Sequence, residues 1–126
     1  MGLDHPIKRQ EAMDRKKAGF KGETLAREHY LQAGYEILET NYRFKRAEID
    51  FIALSRDEKL LVFVEVKARR RTDFGEPETF VSAPQKDRIR AAAEDYIYGI
   101  NWRKDIRFDI ACVDSRQQVE VFEDAF

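Results

Sequence analysis

The sequence is poor in the residues that build covalent cross-links and zinc clusters. Its 126 residues include one cysteine, Cys112, and two histidines, His5 and His29, which stand far apart. A single cysteine excludes an internal disulfide and is typical of a reducing compartment. No spacing of cysteine and histidine fits a zinc site.

Long apolar runs and an excess of basic charge are also absent. No segment approaches the ~20 apolar residues of a membrane-spanning helix, and the first ten residues, MGLDHPIKRQ, contain no apolar signal region. We therefore expect a cytoplasmic protein without a membrane partner. The formal net charge is −1, so an anionic partner such as nucleic acid has to be bound by local basic patches.

What the sequence does contain predicts a globular protein. It is 43% hydrophobic and 37% charged, a composition that excludes a disordered or fibrous chain and fits one domain with its own core. Residues 1–17 are polar and mix both signs of charge, which predicts a helical extension or a mobile arm. We place a single domain at 18–126.

Hydrophobic periodicity predicts two helices and five strands. The first helix spans 20–33 and ends at Gly34, while a capping box at Ser82–Gln85, with Pro84 in the first turn, starts the second. Its apolar face is Ile89, Ala92, Ala93, Tyr96, Ile97 and Ile100. The strands are 35–44, 47–54, 60–69, 106–114 and 118–126, with a loop at 71–79. The order α-β-β-β-α-β-β predicts an α/β fold, a central mixed sheet flanked by helices, with a parallel crossover between the third and fourth strands.

The most apolar strand carries two charges, Glu65 and Lys67, in the run LLVFVEVKAR. Side chains alternate along a strand, so these two lie on one face, roughly 6–7 Å apart. Asp50 interrupts a second apolar run in the preceding strand, and a hairpin through the turn at 55–59 brings it near Glu65. Two adjacent carboxylates repel, and a divalent cation with hard oxygen ligands is the usual remedy. A lysine beside them can stabilise developing negative charge or help a water to lose a proton.

This pattern resembles the PD-(D/E)xK nuclease superfamily, which has the restriction-endonuclease-like fold. The resemblance implies that Asp50 and Glu65 hold Mg²⁺ or Mn²⁺ together with the carbonyl of Val66. It also implies that Lys67 assists the attacking water or stabilises the charged phosphate. The alternative for Glu65 and Lys67 is a solvated ion pair, worth a few tenths of a kcal/mol.

A second resemblance covers nearly the whole chain. The segments GFKGETLAREHYLQAGYEIL, NYR, AEIDFIA, VFVEVKAR, FGEP, RFD and the terminal AF are similar to the YraN family, uncharacterised protein family 0102. This bacterial family is placed among the PD-(D/E)xK proteins, near the archaeal Holliday-junction resolvases. The resemblance implies that Glu23, in GETLA, joins the active site. Resolvases act as dimers on symmetric junctions, so the same analogy implies a homodimer.

The chain departs from these patterns at two positions. The family usually reads GEID where this chain has AEID, with Ala47 in place of glycine, and Ile49 stands where the superfamily has its proline. Neither departure removes a carboxylate. Glu48 has the same parity as Asp50, and we expect it at a surface or hairpin position. The capping role accounts for Gln85.

Basic residues follow the acidic strand. Arg69, Arg70 and Arg71 are candidate phosphate ligands, because the arginine fork matches phosphate oxygens, and Lys86 at the start of the second helix is a minor candidate. The alternative is that the arginines are a charged strand end that prevents edge pairing. Arg88 and Arg90 are expected to extend that patch together with Lys86, and the outer candidates are Arg103, Lys104 and Arg107.

Two functions follow from these patterns. The first is a metal-dependent nuclease that hydrolyses phosphodiester bonds in DNA, branched or single-stranded, in repair or recombination. The second is a non-catalytic module on the same fold that binds nucleic acid or recruits a repair partner. The complete Asp, Glu and Lys set favours the enzyme, because a binding module has no use for so costly an arrangement of charges.

Overall fold

The computed structural model describes residues 21–69 and 81–126, and these form two helices and a five-stranded sheet. The described part of the first helix, α1, covers 21–32. The other elements are β1 (Glu36–Phe44), β2 (Ala47–Leu54), β3 (Leu60–Arg69), α2 (Ala83–Ile100), β4 (Asp105–Asp114) and β5 (Val119–Phe122). The predicted α/β class and the order α-β-β-β-α-β-β are confirmed.

The sheet is mixed, with the strands in the order β1-β2-β3-β4-β5. Neighbouring strands are antiparallel except for β3 and β4, which are parallel and are joined by α2, so the predicted parallel crossover is confirmed. The β3–β4 register runs along the whole of both strands. By contrast, β2 and β3 pair only from Leu54↔Leu61 to Phe51↔Val64. The remainder of β3 is therefore unpaired on its β2 side.

Each face of the sheet is covered by one helix. Because side chains alternate along β3, Leu61 and Phe63 pack toward α2, whereas Val62 and Val64 pack toward α1. Burying an apolar side chain of this size contributes roughly 1.5–3 kcal/mol, so both faces stabilise the fold. The core on the α2 side also contains Ile49, Ile52, Ile89, Ala92, Ala93, Tyr96, Ile110 and Cys112. The core on the α1 side also contains Ala26, Tyr30, Phe51, Ala53, Ala111 and Val113.

A buried carboxylate fixes α1 to the sheet. Asp109 on β4 is fully buried and accepts two hydrogen bonds of 2.8 Å from the Arg107 guanidinium. It also accepts one of 2.6 Å from the Tyr30 hydroxyl and one of 3.1 Å from the Asp124 backbone N–H. A charge buried in this way is stable only because its oxygens are paired. The network holds α1 against β4 and thereby positions the start of that helix.

Both helix boundaries have recognisable chemistry. Gly34 adopts a φ of 95°, a left-handed conformation that glycine accepts without strain, directly after α1. At the start of α2, the Ser82 hydroxyl accepts a hydrogen bond of 3.3 Å from the Gln85 backbone N–H, and a proline lies in the first turn. The predicted cap is confirmed, although it uses the Gln85 backbone and leaves the Gln85 side chain available.

Two predicted features are wrong in part. Ile100, assigned to the apolar face of α2, is 45% exposed because it is the last residue of the helix. The fifth strand ends at Phe122 and does not continue to residue 126. The chain turns at Asp124, whose φ is 53° and whose N–H is taken by Asp109. The predicted arm at 1–17, the predicted loop at 71–79 and the candidates Arg70 and Arg71 lie outside the described residues.

Candidate functional site

Four carboxylates from three elements converge on one pocket of about 380 Å³. Glu23 comes from α1, Glu48 and Asp50 from β2, and Glu65 from β3. The remaining lining residues are Arg46, Ala47, Gln85, Arg88 and Ile89. The helices α1 and α2 cover opposite faces of the sheet, yet both contribute to this pocket. It therefore lies where β2 and β3 separate.

Where β2 and β3 stop pairing, a side chain of β2 bridges to the backbone of β3. Beyond the Phe51↔Val64 pair, the Asp50 Oδ2 atom accepts a hydrogen bond of 2.6 Å from the Val66 backbone N–H. A carboxylate thus takes the place of the missing backbone acceptor. Since the N–H and C=O of one strand residue point to the same side, the Val66 carbonyl also faces β2.

Glu65 is held by two neighbours. Its Oε1 atom accepts a hydrogen bond of 3.2 Å from Gln85 Nε2, and Lys67 Nζ lies 3.5 Å from the same oxygen. The carboxylate is buried, whereas the lysine side chain remains 28% exposed. Asp50 Oδ1 and Glu65 Oε2 accept no hydrogen bond from other residues that the structure describes, so each carboxylate keeps one oxygen for a further partner.

The two carboxylates resist ionisation together. Burial and repulsion from Glu65 raise the pKa of the Asp50 carboxyl, and the Val66 N–H opposes this rise only in part. Burial also raises the pKa of Glu65, against the opposing effect of Lys67. Clustered acids in this state take up either a proton or a cation.

The other two carboxylates have partners at the edge of the pocket. Glu23 lies 3.9 Å from Arg27, one turn along α1. Glu48 lies 3.3 Å from Arg43 across the β1–β2 hairpin and accepts a hydrogen bond of 2.8 Å from Asn41 Nδ2. Glu48 thus occupies the expected hairpin position, and it lines the pocket as well.

The donor atoms suit a hard divalent cation better than a soft one. Asp50 and Glu65 offer oxygens, the Val66 carbonyl faces the same gap, and none of the described residues that line the pocket is a cysteine or histidine. In the ranges 21–69 and 81–126, no three His, Cys, Asp or Glu side chains form a group that could hold a metal ion by themselves. Two carboxylates, a backbone carbonyl and waters are the ligands that these residues could provide.

The predicted basic residues are distributed differently from expectation. Arg69 forms an ion pair of 2.6 Å with Glu120, and its guanidinium lies over the Phe122 ring, so it is engaged at the β5 edge. Lys86 does not line the pocket. Arg107, an outer candidate, binds Asp109 on the face of the sheet that α1 covers. Its side chain alternates along β4 with that of Phe108, which packs on the α2 side. The expected place of Arg107 in a phosphate-binding patch is wrong.

Sequence reasoning missed two contributors to the pocket. Gln85 was explained by its capping role, and its side chain instead donates to Glu65. Its position seven residues before the buried Ala92 was the available signal, since that spacing places both on one helix face. Arg46 lies in the short β1–β2 turn and lines the pocket although its sequence context indicates only a connection.

The fold and the pocket define a class: an α/β protein with a mixed five-stranded sheet, helices on both faces and an acid-lined pocket at a strand separation. In the part of the chain that the structure describes, no helix is long and apolar enough to span a bilayer. The chain belongs to the family described as uncharacterised protein family UPF0102, whose model matches residues 22–113.

Curated relatives agree with this assignment. A UPF0102 protein of Flavobacterium psychrophilum is 43% identical over 108 residues, covering 83% of this chain and 89% of that protein. One from Cytophaga hutchinsonii is 39% identical over 80% of this chain and 88% of its own length. One from Thermodesulfovibrio yellowstonii is 36% identical over 90% of this chain and 99% of its own length.

Proposed function

We propose that the protein is a metal-dependent nuclease that hydrolyses phosphodiester bonds in DNA. One observation carries this proposal: Asp50 and Glu65 share one pocket, with Lys67 against Glu65. Burial makes both acids costly to ionise, and Glu65 adds to that cost for Asp50, an arrangement that costs stability without a cation and serves catalysis with one.

Asp50, Glu65 and the Val66 carbonyl hold Mg²⁺ or Mn²⁺. When bound, the ion polarises the phosphate and lowers the pKa of water. The chain's contribution is to keep the acceptor atoms in place. The Val66 N–H fixes the Asp50 carboxylate, and Gln85 fixes Glu65 by its hydrogen bond to Oε1.

Lys67 acts on the substrate side of the pocket. Its ammonium is anchored by Glu65 and still partly exposed, so it can reach an incoming phosphate. A fixed cation there stabilises the negative charge that develops on the phosphoryl oxygens and favours loss of a proton from the attacking water. We expect Glu23, which lines the same pocket from α1, to hold a water or a second ion.

The expected substrates are branched or single-stranded DNA, and the expected assembly is a homodimer. Both follow from the likeness to junction resolvases, in which two active sites face a symmetric junction. Light scattering on the purified protein measures the assembly. A monomer at working concentration contradicts junction resolution and leaves single-strand cleavage in place.

The test is a cleavage panel over duplex, single-stranded, flap and four-way DNA, at stated salt, with Mg²⁺, Mn²⁺ or EDTA. Wild type is compared with Glu65→Gln and Lys67→Ala. The matched control is Lys59→Ala, because residues 57–59 read DEK and carry the same (D/E)xK pattern outside the pocket.

We expect metal-dependent cleavage by wild type and by the control, and losses of about 100-fold or more in Glu65→Gln and Lys67→Ala. Lys67→Ala should still bind DNA. No cleavage of any DNA form under any metal condition refutes the nuclease and favours a non-catalytic module that binds nucleic acid or a repair partner. If Lys67→Ala cleaves DNA as well as wild type does, Lys67 has no role in cleavage.

A further inference from the structure

Two exposed arginines flank the acid-lined pocket from different elements. Arg46 stands in the turn between β1 and β2, and Arg88 stands near the start of α2. Both line the pocket. Neither forms an ion pair with a carboxylate in the described segments, although four carboxylates line the same pocket. The pocket is therefore acidic inside and carries two unneutralised guanidinium groups at its rim.

Each of the four carboxylates has a partner other than these arginines, although Asp50 and Glu65 each keep one further oxygen open. The partners are Arg27 for Glu23, Arg43 for Glu48, the Val66 N–H for Asp50, and Lys67 with Gln85 for Glu65. A guanidinium that faces acids already paired elsewhere has its donors available for an anion from outside. The arginine fork matches two phosphate oxygens at once.

Two other arginines, Arg69 and Arg90, are already engaged. Arg69 pairs with Glu120 and stacks on Phe122. Arg90 lies 3.7 Å from Asp87, over the Phe126 ring and outside the pocket. Within the segments that the structure describes, Arg46 and Arg88 thus differ from Arg69 and Arg90, because their guanidinium groups form no ion pair.

We propose that Arg46 and Arg88 are a phosphate clamp that holds the backbone of a nucleic-acid strand across the acid-lined pocket. The identity of the ligand as nucleic acid rests on the proposed function. A polyanion is repelled by four carboxylates, and the two exposed cations that line the same pocket compensate that repulsion where the strand enters. A local clamp also reconciles nucleic-acid binding with the net charge of −1.

The test measures binding separately from cleavage. A short fluorescein-labelled single-stranded DNA and its duplex are titrated in EDTA over a series of salt concentrations, with fluorescence anisotropy as the readout. The variants are Arg46→Ala, Arg88→Ala and the double variant. Matched controls are Lys45→Asn, which removes the adjacent charge and keeps a residue that tolerates its φ of 55°, and Arg90→Ala on the same helix.

Each rim variant should weaken DNA binding about tenfold, and each arginine removed should reduce the slope of log K against log salt by roughly 0.7–0.9. The controls should stay within about twofold of wild type. Arg46→Lys and Arg88→Lys should recover part of the affinity, because they restore the charge and not the fork. Unfolding temperatures close to wild type show that the variants are folded.

Three outcomes overturn the clamp: rim variants that bind like the controls, an unchanged salt slope, or a wild type that binds neither DNA. The clamp and the nuclease fail separately. Rim-dependent binding without any metal-dependent cleavage refutes the nuclease and supports the clamp, whereas cleavage that survives both rim substitutions with unchanged affinity refutes the clamp alone.

Discussion

The Asp50 carboxylate accepts a hydrogen bond of 2.6 Å from the backbone N–H of Val66, at the point where β2 and β3 cease to pair. A side chain thereby satisfies a backbone donor that the sheet leaves open. The same bond holds the carboxylate in the pocket that Glu65 lines. One contact thus links three features: the point where β2 and β3 separate, the satisfied N–H of Val66, and the position of Asp50 in the same pocket as Glu65.

Asp50→Asn should stabilise the metal-free protein at high pH. Burial and Glu65 raise the pKa of the Asp50 carboxyl, so the folded state keeps a proton that the unfolded state has released. Wild-type stability therefore falls as pH rises from the ordinary carboxyl pKa toward the raised value. Asparagine does not ionise and can still accept the Val66 N–H. We expect a gain of about 1–2 kcal/mol at about pH 8 and little change at about pH 5.

Urea unfolding in EDTA at both pH values measures this effect. Asp57→Asn is the control of opposite sign, because hydrogen bonds from Ser55 and Lys59 lower the pKa of Asp57. That aspartate stabilises the fold only above its ordinary pKa, so the control should gain nothing as pH rises. An Asp50→Asn variant that is less stable than wild type at the higher pH is inconsistent with two acids that repel in the metal-free state.

Asp109→Asn should destabilise the fold by about 3 kcal/mol, because it removes the buried partner of the Arg107 guanidinium and leaves it with the exposed Glu123, 3.5 Å away. Tyr30→Phe should cost about 1 kcal/mol, since it removes one hydrogen bond to the same carboxylate. Denaturant unfolding measures both. Equal losses of stability in the two variants would show that the Arg107–Asp109 ion pair contributes no more to the fold than the Tyr30 hydrogen bond does.

Gln85→Ala should reduce cleavage about tenfold and leave DNA binding unchanged. The Gln85 side chain donates to Glu65 Oε1, and loss of such a supporting bond loosens a metal ligand without touching the substrate. Steady-state cleavage and anisotropy on one preparation separate the two effects. Gln118→Ala, at an exposed turn position, is the control. A Gln85→Ala variant as active as its control would restrict Gln85 to the helix cap.

The fold was predictable because its signals are local. Apolar runs mark β2 and β3, and the Ser82 cap with its helical period marks α2. The fifth strand was overextended because its end depends on a distant contact, the bond from the Asp124 N–H to Asp109. No pattern within the last nine residues carries that information.

The site was predictable to the extent that it interrupts an apolar strand. Asp50 and Glu65 break hydrophobic runs, and such interruptions can be read directly from the sequence. Gln85 and Arg46 reach the pocket through tertiary placement, one beside a helix cap and one in a turn. Arg107 was misassigned because its face depends on the β3–β4 register, in which it stands beside Val62.

The most direct test of the central claim is a calorimetric titration of the metal-free protein with Mn²⁺ at about pH 6 and about pH 8. We expect one ion per chain, bound more tightly at the higher pH because protons compete for Asp50 and Glu65. Asp50→Asn and Glu65→Gln should abolish binding, and Glu36→Gln, an exposed carboxylate on β1, should not. Equal Mn²⁺ binding by all four proteins, or none by wild type at millimolar Mn²⁺, would contradict the central claim.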